Sequence, residues 1–426
     1  MKIAILTLGT RGDVQPFVAL GQKALEKGHQ AVICTGKTFK PFIEAAGIEF
    51  KEAASDLMAM LETTEGQMVF KHALRHPFRT KKYLDEVVNP NFRKSLDQFY
   101  EAAQGTDVIL YHPKAFGAPD IAEALDIPCI SIPPVPITLP IDEFPNLAIS
   151  PTKNLGKHFN RWTYSVMAQA ERSSINEVND FREKTLHLPK RKSGLYTFSR
   201  NDQAIPIIYP ISKALFPEVT SWEGRVLTPG FFYLDSAAEQ LDSSLTSFLS
   251  AGSAPIIVSF SSMPLKAPEQ FKNCLQEALL ATHQRGILLT GNSGIRFEDD
   301  ADLLTIDAAP HSLLFPHGKG IVHHGGVGTM AAAIKSGKPQ LIIPFSVDQP
   351  FWANRLYQQG YALKPLKETQ ITTRALIQRF IQFDEEAVQS KAQALKTIID
   401  QENGTETALT FIENYCHSKT RIKSST

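Results

Sequence analysis

The segment from Ile321 to Thr329, Ile-Val-His-His-Gly-Gly-Val-Gly-Thr, has the composition of a phosphate-binding turn. An apolar strand leads into glycines, and a helix is expected to begin at Gly328. The first N–H groups of a helix lack intrahelical partners, and its dipole places partial positive charge there. Glycines let the backbone approach an anion, and His323 and His324 are expected to add donors. A departing diphosphate would be stabilised as its charge grows.

This turn differs from two familiar nucleotide-binding motifs, because it lacks both the P-loop ending and the G-x-G-x-x-G spacing. Asp348 and Gln349 follow the next expected strand. A carboxylate beside a carboxamide offers acceptors and donors suited to neighbouring sugar hydroxyls. An alternative interpretation makes Asp348 only a helix N-cap, with Pro350 in the first turn. The position of Asp348 after a phosphate-binding turn favours the interpretation that it binds a sugar.

A second group follows the first strand, in the segment Gly-Thr-Arg-Gly-Asp-Val-Gln-Pro-Phe from Gly9 to Phe17. Asp13 is a candidate proton acceptor, a task that needs a fixed acceptor within hydrogen-bond reach. Asp13 is also a suitable helix N-cap before Pro16, and one residue can do both. His112 follows a later strand of this half and is a further candidate.

Two parallel sheets are needed to position these residues. Apolar strands and amphipathic helices alternate at both ends of the chain, which predicts βαβ units with right-handed crossovers. Ligands bind such sheets at the carboxyl ends of the strands. The expected strands are 3–8, 31–35, 107–111, 128–132, 255–260, 286–289, 303–306, 321–323 and 340–344, and the main helices are 17–25, 119–125, 268–282, 328–335 and 405–415.

The domain boundaries are predicted from a Ser-, Ala- and Asp-rich stretch at 235–252, taken as a linker. An N-terminal domain, 1–234, is expected to bind the acceptor, and a C-terminal domain, 253–400, the nucleotide. Residues 401–426 are expected to form a closing helix that packs on the first domain and a frayed basic tail.

Composition excludes several functional classes. Forty-four basic residues balance forty-four acidic ones, which argues against a nucleic-acid partner. The four separated cysteines indicate neither a disulfide framework nor a zinc site and suit the cytoplasm. No apolar run reaches the roughly 18 residues of a membrane span, although contact with a membrane surface stays open. The Asp300-Ala-Asp302 sequence is interpreted as a solvated loop rather than a metal site.

Residues 307–356 resemble the donor-binding signature of family 1 glycosyltransferases, in the branch of sterol 3-β-glucosyltransferases and antibiotic-biosynthesis enzymes. The Arg-Gly-Asp-Val-Gln-Pro sequence at 11–16 is similar to the start of the same enzymes, and 226–235 also resembles sterol glucosyltransferases. The resemblance implies an α/β GT-B fold, two Rossmann-like domains facing across a cleft. It implies Asp13 as general base and Arg11 and His112 as acceptor-side candidates. The donor-binding residues that it implies are Ser261, Ser262, Ala308, His311, His323, His324, Gly325, Gly326, Gly328, Thr329, Asp348 and Gln349.

The implied activity is inverting transfer of a hexose, with glucose expected, from a UDP-sugar to a hydroxyl of a lipophilic acceptor. Sterol, polyketide, flavonoid and lipid acceptors all suit the pattern, and a dTDP-sugar is the second donor candidate. No cofactor or metal is expected, because a helix terminus and histidines neutralise the diphosphate. Two alternatives stay open, a non-hydrolysing sugar-nucleotide epimerase and a non-catalytic sugar-nucleotide-binding protein.

Overall fold

The computed structural model describes residues 1–72, 76–192, 199–200, 203–234, 240–260, 265–291, 294–345 and 348–424. The chain divides into two units, each with its own parallel sheet. The first unit comprises Met1–Asn146, Asn154–Asp235 and Asn403–Thr426, and the second comprises Leu147–Lys153 and Ser236–Glu402.

The sheet of the first unit has seven parallel strands in the order β3-β2-β1-β4-β5-β8-β9. Strand order therefore reverses between β1 and β4, which lie side by side at the switch point where such sheets bind ligands. A two-stranded antiparallel ribbon, β6-β7, is separate. The strands are β1 (Lys2–Leu6), β2 (Gln30–Gly36), β3 (Glu49–Ala53), β4 (Val108–Tyr111), β5 (Cys129–Ser131), β6 (Ser199–Arg200), β7 (Gln203–Ala204), β8 (Ile207–Ile208) and β9 (Val226–Leu227).

Helices cover both faces of this sheet because β1 is apolar on both faces. Ile3 and Ile5 pack in one core cluster, and Ala4 and Leu6 pack in the opposite one. The helices are α1 (Arg11–Glu26), α2 (Lys40–Ala45), α3 (Leu57–Glu62), α4 (Thr64–His72), α5 (Pro77–Tyr83), α6 (Asn89–Ala103), α7 (Ala118–Ala124), α8 (Lys157–Thr163), α9 (Ser165–Arg172) and α10 (Ile175–Lys184), with 3-10 turns at Lys37–Phe39 and Lys213–Leu215 and a π-helical turn at Leu84–Val88.

The sheet of the second unit repeats the arrangement with five parallel strands in the order β12-β11-β10-β13-β14. Its strands are β10 (Ile256–Ser259), β11 (Gly286–Leu289), β12 (Leu303–Ile306), β13 (Gly320–His323) and β14 (Gln340–Ile342). Its helices are α11 (Ser243–Ser250), α12 (Pro268–Ala281), α13 (His311–Leu314), α14 (Val327–Ser336), α15 (Gln349–Gln358), α16 (Thr373–Gln382) and α17 (Glu386–Ile399), with 3-10 turns at Phe315–His317 and Glu368–Gln370.

The last helix, α18 (Gly404–Ser424), belongs to the first unit. Ala408, Leu409 and Ile412 pack in the core cluster that contains α1. His29 lies 2.7 Å from Glu413 and ties the helix to the chain before β2. The helix extends to Ser424, so the prediction of a frayed tail after residue 415 is wrong for most of that segment.

Two predicted boundaries differ from the structure. The expected linker 235–252 contains α11, which begins because the Asp242 carboxylate accepts a hydrogen bond from Leu245 N at 2.8 Å. Leu245 and Phe248 pack in a core cluster of the second unit. Helix α1 begins at Arg11 rather than at 17, because Thr10 and Asp13 form a capping box. Among the described residues, no helix is both long and apolar enough for a membrane span.

Candidate active site

Asp13 lies in the first turn of α1, directly after the carboxyl end of β1. Gly9 makes this position accessible, because its φ of 138° is unusual for other residues and a Cβ there would lie 2.1 Å from Asp13 Oδ2. Thr7 Oγ1 donates to the Asp13 carbonyl at 2.8 Å and fixes the backbone. The glycine of the sequence motif is therefore required for the carboxylate to occupy this place.

Four groups donate to the Asp13 carboxylate. Thr10 N and Thr10 Oγ1 donate to Oδ2 at 2.7 and 3.1 Å, and Lys114 Nζ lies 2.9 Å from the same oxygen. His112 Nε2 lies 3.1 Å from Oδ1. Both His112 and Lys114 follow β4, the neighbour of β1, so the switch point of the sheet brings them together. Asp13 thus caps its helix and also belongs to a cluster of ionisable groups.

Hydrogen bonding defines the tautomer of His112. Lys114 N donates to His112 Nδ1 at 3.0 Å, so Nε2 carries the proton that is shared with Asp13. Burial lowers the pKa of His112, and the bond to Asp13 acts in the opposite direction. Burial acts to raise the pKa of Asp13, but His112 and Lys114 outweigh it and hold that pKa well below its usual range. Asp13 is therefore a fixed carboxylate at neutral pH.

The two acceptor-side candidates occupy different environments. His112 is 4% exposed and both of its ring nitrogens are engaged, so it orients Asp13. Its contact with an acceptor stays a prediction. Arg11 is exposed, donates from Nε to Gln15 Oε1 at 2.9 Å and stacks over Phe42 at 4.6 Å. Its contact with an acceptor stays a prediction.

In the second unit, the glycine-rich turn connects β13 to α14. Gly325 has a φ of 89°, and a Cβ there would lie 2.7 Å from Ile342. Gly326 is the N-cap of α14, and no side chain of the described residues caps the helix. The first bond into the helix runs from Met330 N to Gly326 O at 2.9 Å, so the amides at 327–329 precede the helical ladder. Gly328 is exposed, and a Cβ there would meet nothing within 4 Å.

The two histidines of the turn are buried, and their predicted contact with the diphosphate stays a prediction. His323 is fully buried, with Nε2 2.9 Å from Gln340 Oε1 and Nδ1 accepting from Gly325 N at 3.1 Å. His324 is 7% exposed and bonds to the Ser259 backbone, while its Nδ1 has no partner among the described residues. Both rings contact the turn, and the amides at 327–329 remain as its candidate donors.

Burial lowers the pKa of His323 to about 3 and that of His324 to about 4. These values lie below the ordinary histidine pKa near 6.5. The two histidines of the unfolded chain therefore take up protons at a higher pH than those of the folded protein. The folded state should therefore lose stability as the pH falls from 6.5 to 4.5, by about 2–3 kcal/mol for each histidine.

This pH dependence is measured by urea unfolding at pH 7 and pH 4.5, followed by tryptophan fluorescence, to which Trp352, buried in the second unit, contributes. We expect the His323→Gln variant to be less stable than the wild type at pH 7 but to lose less unfolding free energy on acidification. An equal loss of unfolding free energy in the wild type and the variant would contradict the buried, neutral state of His323.

Asp348 and Gln349 follow β14 at the start of α15. Asp348 occupies the N-cap position without capping through its side chain, and its Oδ2 accepts from Trp352 Nε1 at 2.8 Å. Gln349 Oε1 accepts from Phe345 N at 2.8 Å and is 6% exposed. Local hydrogen bonds between residues four apart thus orient both side chains, and binding of a sugar by them stays a prediction.

The predicted donor-binding residues Ala308 and His311 lie before α13 and at its first position. Ala308 is exposed, and His311 is half-buried, with Nε2 3.1 Å from Ser259 Oγ and its ring stacked 4.4 Å from Phe315. Ser261 and Ser262 lie outside the described residues. Asp300 Oδ1 accepts from Asp302 N and Leu303 N at 2.7 Å, so this carboxylate stabilises a turn.

Sequence reasoning misses three partners of these residues. Lys114 follows β4 beside His112, and the strand order of a Rossmann-like sheet is the signal that places it next to Asp13. Trp352 lies four residues after Asp348, the spacing at which helical side chains meet. Gln340, which bonds to His323, is not indicated by local sequence.

Two parts of the chain match known families. Residues 3–139 match the glycosyltransferase family 28 N-terminal domain, and residues 300–410 match the C-terminal domain of erythromycin biosynthesis protein CIII-like proteins. Two sterol 3-beta-glucosyltransferases of Arabidopsis thaliana are 32% and 30% identical over 96% of this chain. The chain spans 64% and 67% of their lengths, and 28% of a sterol 3-beta-glucosyltransferase of Yarrowia lipolytica that is 31% identical.

A bacterial relative matches end to end. The O-mycaminosyltylonolide 6-deoxyallosyltransferase of Streptomyces fradiae is 28% identical over 99% of both chains. Among solved structures, a glycosyltransferase of kitacinnamycin aligns with a TM-score of 0.71 at 19% identity, covering 97% of this chain and 98% of its own. The calicheamicin glycosyltransferase CalG4 aligns with a TM-score of 0.68 at 17% identity, over the same shares. These structures share the fold.

Proposed function

Since the chain belongs to the GT-B glycosyltransferase family that includes sterol 3-beta-glucosyltransferases and antibiotic glycosyltransferases, we propose that it transfers a hexose from a nucleotide diphosphate sugar to a lipophilic alcohol. The observation that carries the proposal is the start of α14, where the amides at 327–329 precede the helical ladder without a side-chain cap and Gly328 is exposed. This arrangement supports binding of a diphosphate and stabilisation of its growing charge.

The proposed reaction is a direct displacement. The acceptor hydroxyl oxygen bonds to the anomeric carbon while the bond from that carbon to the diphosphate oxygen breaks, which inverts the anomeric configuration. Asp13 takes the hydroxyl proton, and the diphosphate keeps the electron pair of the broken bond. A weakly basic carboxylate suffices because bonding to the anomeric carbon makes the hydroxyl strongly acidic before the proton leaves.

His112 and Lys114 have supporting roles in this proposal. His112 holds Asp13 Oδ1 through a buried ring, so the carboxylate does not rotate away from its productive orientation. The Lys114 side chain is 49% exposed, and its Nζ lies 2.9 Å from Asp13 Oδ2. An exposed ammonium can withdraw when an acceptor arrives, which would return basicity to the carboxylate.

The donor and acceptor are proposed by class. UDP-glucose is the first donor candidate because several relatives are glucosyltransferases by name, and a dTDP-sugar is the second. For the acceptor we propose a sterol, polyketide, flavonoid or lipid hydroxyl. We further propose that no metal ion takes part, because the amides at the start of α14 supply the stabilisation that a metal would otherwise provide.

The test is incubation of the purified chain with UDP-glucose and a mixed acceptor library, followed by mass spectrometry of the products. A glucoside whose yield is unchanged by EDTA is the expected result. A new sugar nucleotide formed from the donor alone would identify an epimerase instead. Calorimetric binding of UDP-glucose without any transfer across the library would identify a sugar-nucleotide-binding protein.

A further inference from the structure

Helix α8 of the first unit has an inverted distribution of polar and apolar residues. Asn160 and Thr163 point inward and are buried, whereas Phe159 and Trp162 are 66% and 68% exposed. A helix on the surface of a globular protein normally buries its apolar stripe and exposes its polar one. The exposed pair is three residues apart, so the two rings lie on the same face of the helix.

The buried polar residues hold the helix firmly in this orientation. Asn160 Nδ2 donates to the Asp142 carbonyl at 2.7 Å, and Asn160 Oδ1 accepts from Leu155 N at 3.0 Å. Asn146 N donates to Thr163 Oγ1 at 2.8 Å. Buried hydrogen bonds of this kind are costly to leave unsatisfied, so rotation of the helix to bury Phe159 and Trp162 would be strongly unfavourable. The two aromatic side chains are therefore held on the surface.

Apolar exposure continues into the turn before the helix. Leu155 is 41% exposed, and Gly156, with a φ of 83°, connects it to Lys157. Isolated exposed apolar side chains are common, but a leucine and two aromatic residues within eight positions form a local apolar face. We call Leu155, Phe159 and Trp162 the aromatic face.

The sequence segment that carries this face is basic. Residues 150–170 contain Lys153, Lys157 and Arg161 and no aspartate or glutamate. Arg161 pairs with Asp142 at 3.1 Å, whereas Lys157 and His158 are exposed at the start of the helix. Basic side chains beside exposed aromatic residues are characteristic of segments that bind an anionic lipid surface.

We propose that the aromatic face inserts into the headgroup region of an anionic lipid bilayer, with Lys157 at the level of the lipid phosphates. The local excess of basic residues favours this occupant over a second copy of the chain, because two copies of the same basic segment would repel each other. Tryptophan is especially suited to the boundary between headgroups and acyl chains. If the proposed function is correct, the surface would also bring the enzyme to a phase where lipophilic acceptors dissolve.

The tryptophan content allows a direct test. The chain has three tryptophans, and Trp222 and Trp352 are 5% and 0% exposed, so Trp162 alone is largely exposed to solvent. The full chain is titrated with vesicles of phosphatidylcholine alone or with about one third phosphatidylglycerol. We expect the emission to shift to shorter wavelength with the anionic vesicles, and the Trp162→Phe variant to lose the shift while still sedimenting with them.

Variants separate the apolar and charged contributions. Phe159→Ser combined with Trp162→Ser should lower the vesicle partition coefficient by at least about tenfold. Lys157→Gln should lower it by about fivefold, the effect of one basic residue near an anionic surface. Leu280→Ser is the matched control, because Leu280 is 78% exposed on α12 of the second unit and should leave partitioning unchanged. Circular dichroism checks that each variant is folded.

Three outcomes would overturn the proposal. The first is the absence of sedimentation with either type of vesicle, and the second is equal partitioning of the wild type and the double variant. The third is an emission shift that depends on protein concentration without vesicles, since a second copy would then cover the aromatic face. None of these measurements uses a sugar donor, so their failure is distinguishable from a failure of the proposed transfer reaction.

Discussion

Replacement of Asp13 by asparagine is expected to lower kcat/KM for glycosyl transfer by about 10²- to 10⁴-fold, the usual contribution of a general base. Asparagine has nearly the same shape and keeps an oxygen that can accept from Thr10 N, so the capping box and the helix should survive. The variant lacks the charge and the basicity needed to take the proton. Initial rates with UDP-glucose and the identified acceptor measure the effect.

Asp56 provides a matched control in the same unit. It caps α3, with Oδ1 accepting from Met58 N and Ala59 N at 3.1 and 3.2 Å, but it has no contact with the Asp13 cluster among the described residues. Asp56→Asn should therefore retain transfer, and both variants should bind UDP like the wild type. Transfer that continues at the wild-type rate in the Asp13→Asn variant would remove Asp13 as the base.

Replacement of Gly328 by glutamate is expected to weaken UDP binding by about 100-fold or more. The added carboxylate would stand at the second helical position, beside the amides proposed to hold the diphosphate, and like charges about 4 Å apart repel by several kcal/mol near a protein surface. The fold should not suffer, because a Cβ at this position meets nothing within 4 Å. Glutamate also favours the helix start through its propensity and its charge.

Gly328→Ala separates charge from bulk, because it adds a side chain without a charge. We expect this variant to lose less than about tenfold in UDP affinity and to be at least as stable as the wild type. Calorimetric titration with UDP gives the affinities, and thermal unfolding gives the stabilities. If the glutamate variant binds UDP as tightly as the alanine variant, the diphosphate does not bind at this turn.

The sequence predicts most of the fold because the central strands are short, fully buried and apolar. Strand β11, which is fully buried, begins and ends at the predicted residues 286–289. The edge strand β12 also matches its predicted bounds 303–306, although only Thr305 is buried there. Strand β3, Glu49–Ala53, has no such signal, because only Ala53 is buried and its sequence is mostly charged. Helix α11 is hidden for a different reason, since serines lower its apparent helix propensity while Asp242 caps it.

The candidate site is predicted in its backbone but not in its side-chain partners. The glycines at 325, 326 and 328 are informative because an anion-binding turn needs their backbone freedom and small size. The hydrogen-bond partners of the histidines are not predicted, because residue type alone does not show that Gln340 engages His323 from a neighbouring strand. Lys114 is likewise found only when the sheet order places β4 beside β1. Long-range contacts of this kind depend on tertiary structure.

The most direct measurement of the central claim is a UDP titration of the chain labelled with ¹⁵N at its 25 glycines. The Gly328→Ala variant assigns the Gly328 amide signal by its disappearance. If the start of α14 holds the diphosphate, the Gly328 amide signal moves downfield as UDP saturates the protein. Saturable UDP binding that leaves this signal unmoved and shifts other glycines would contradict the account.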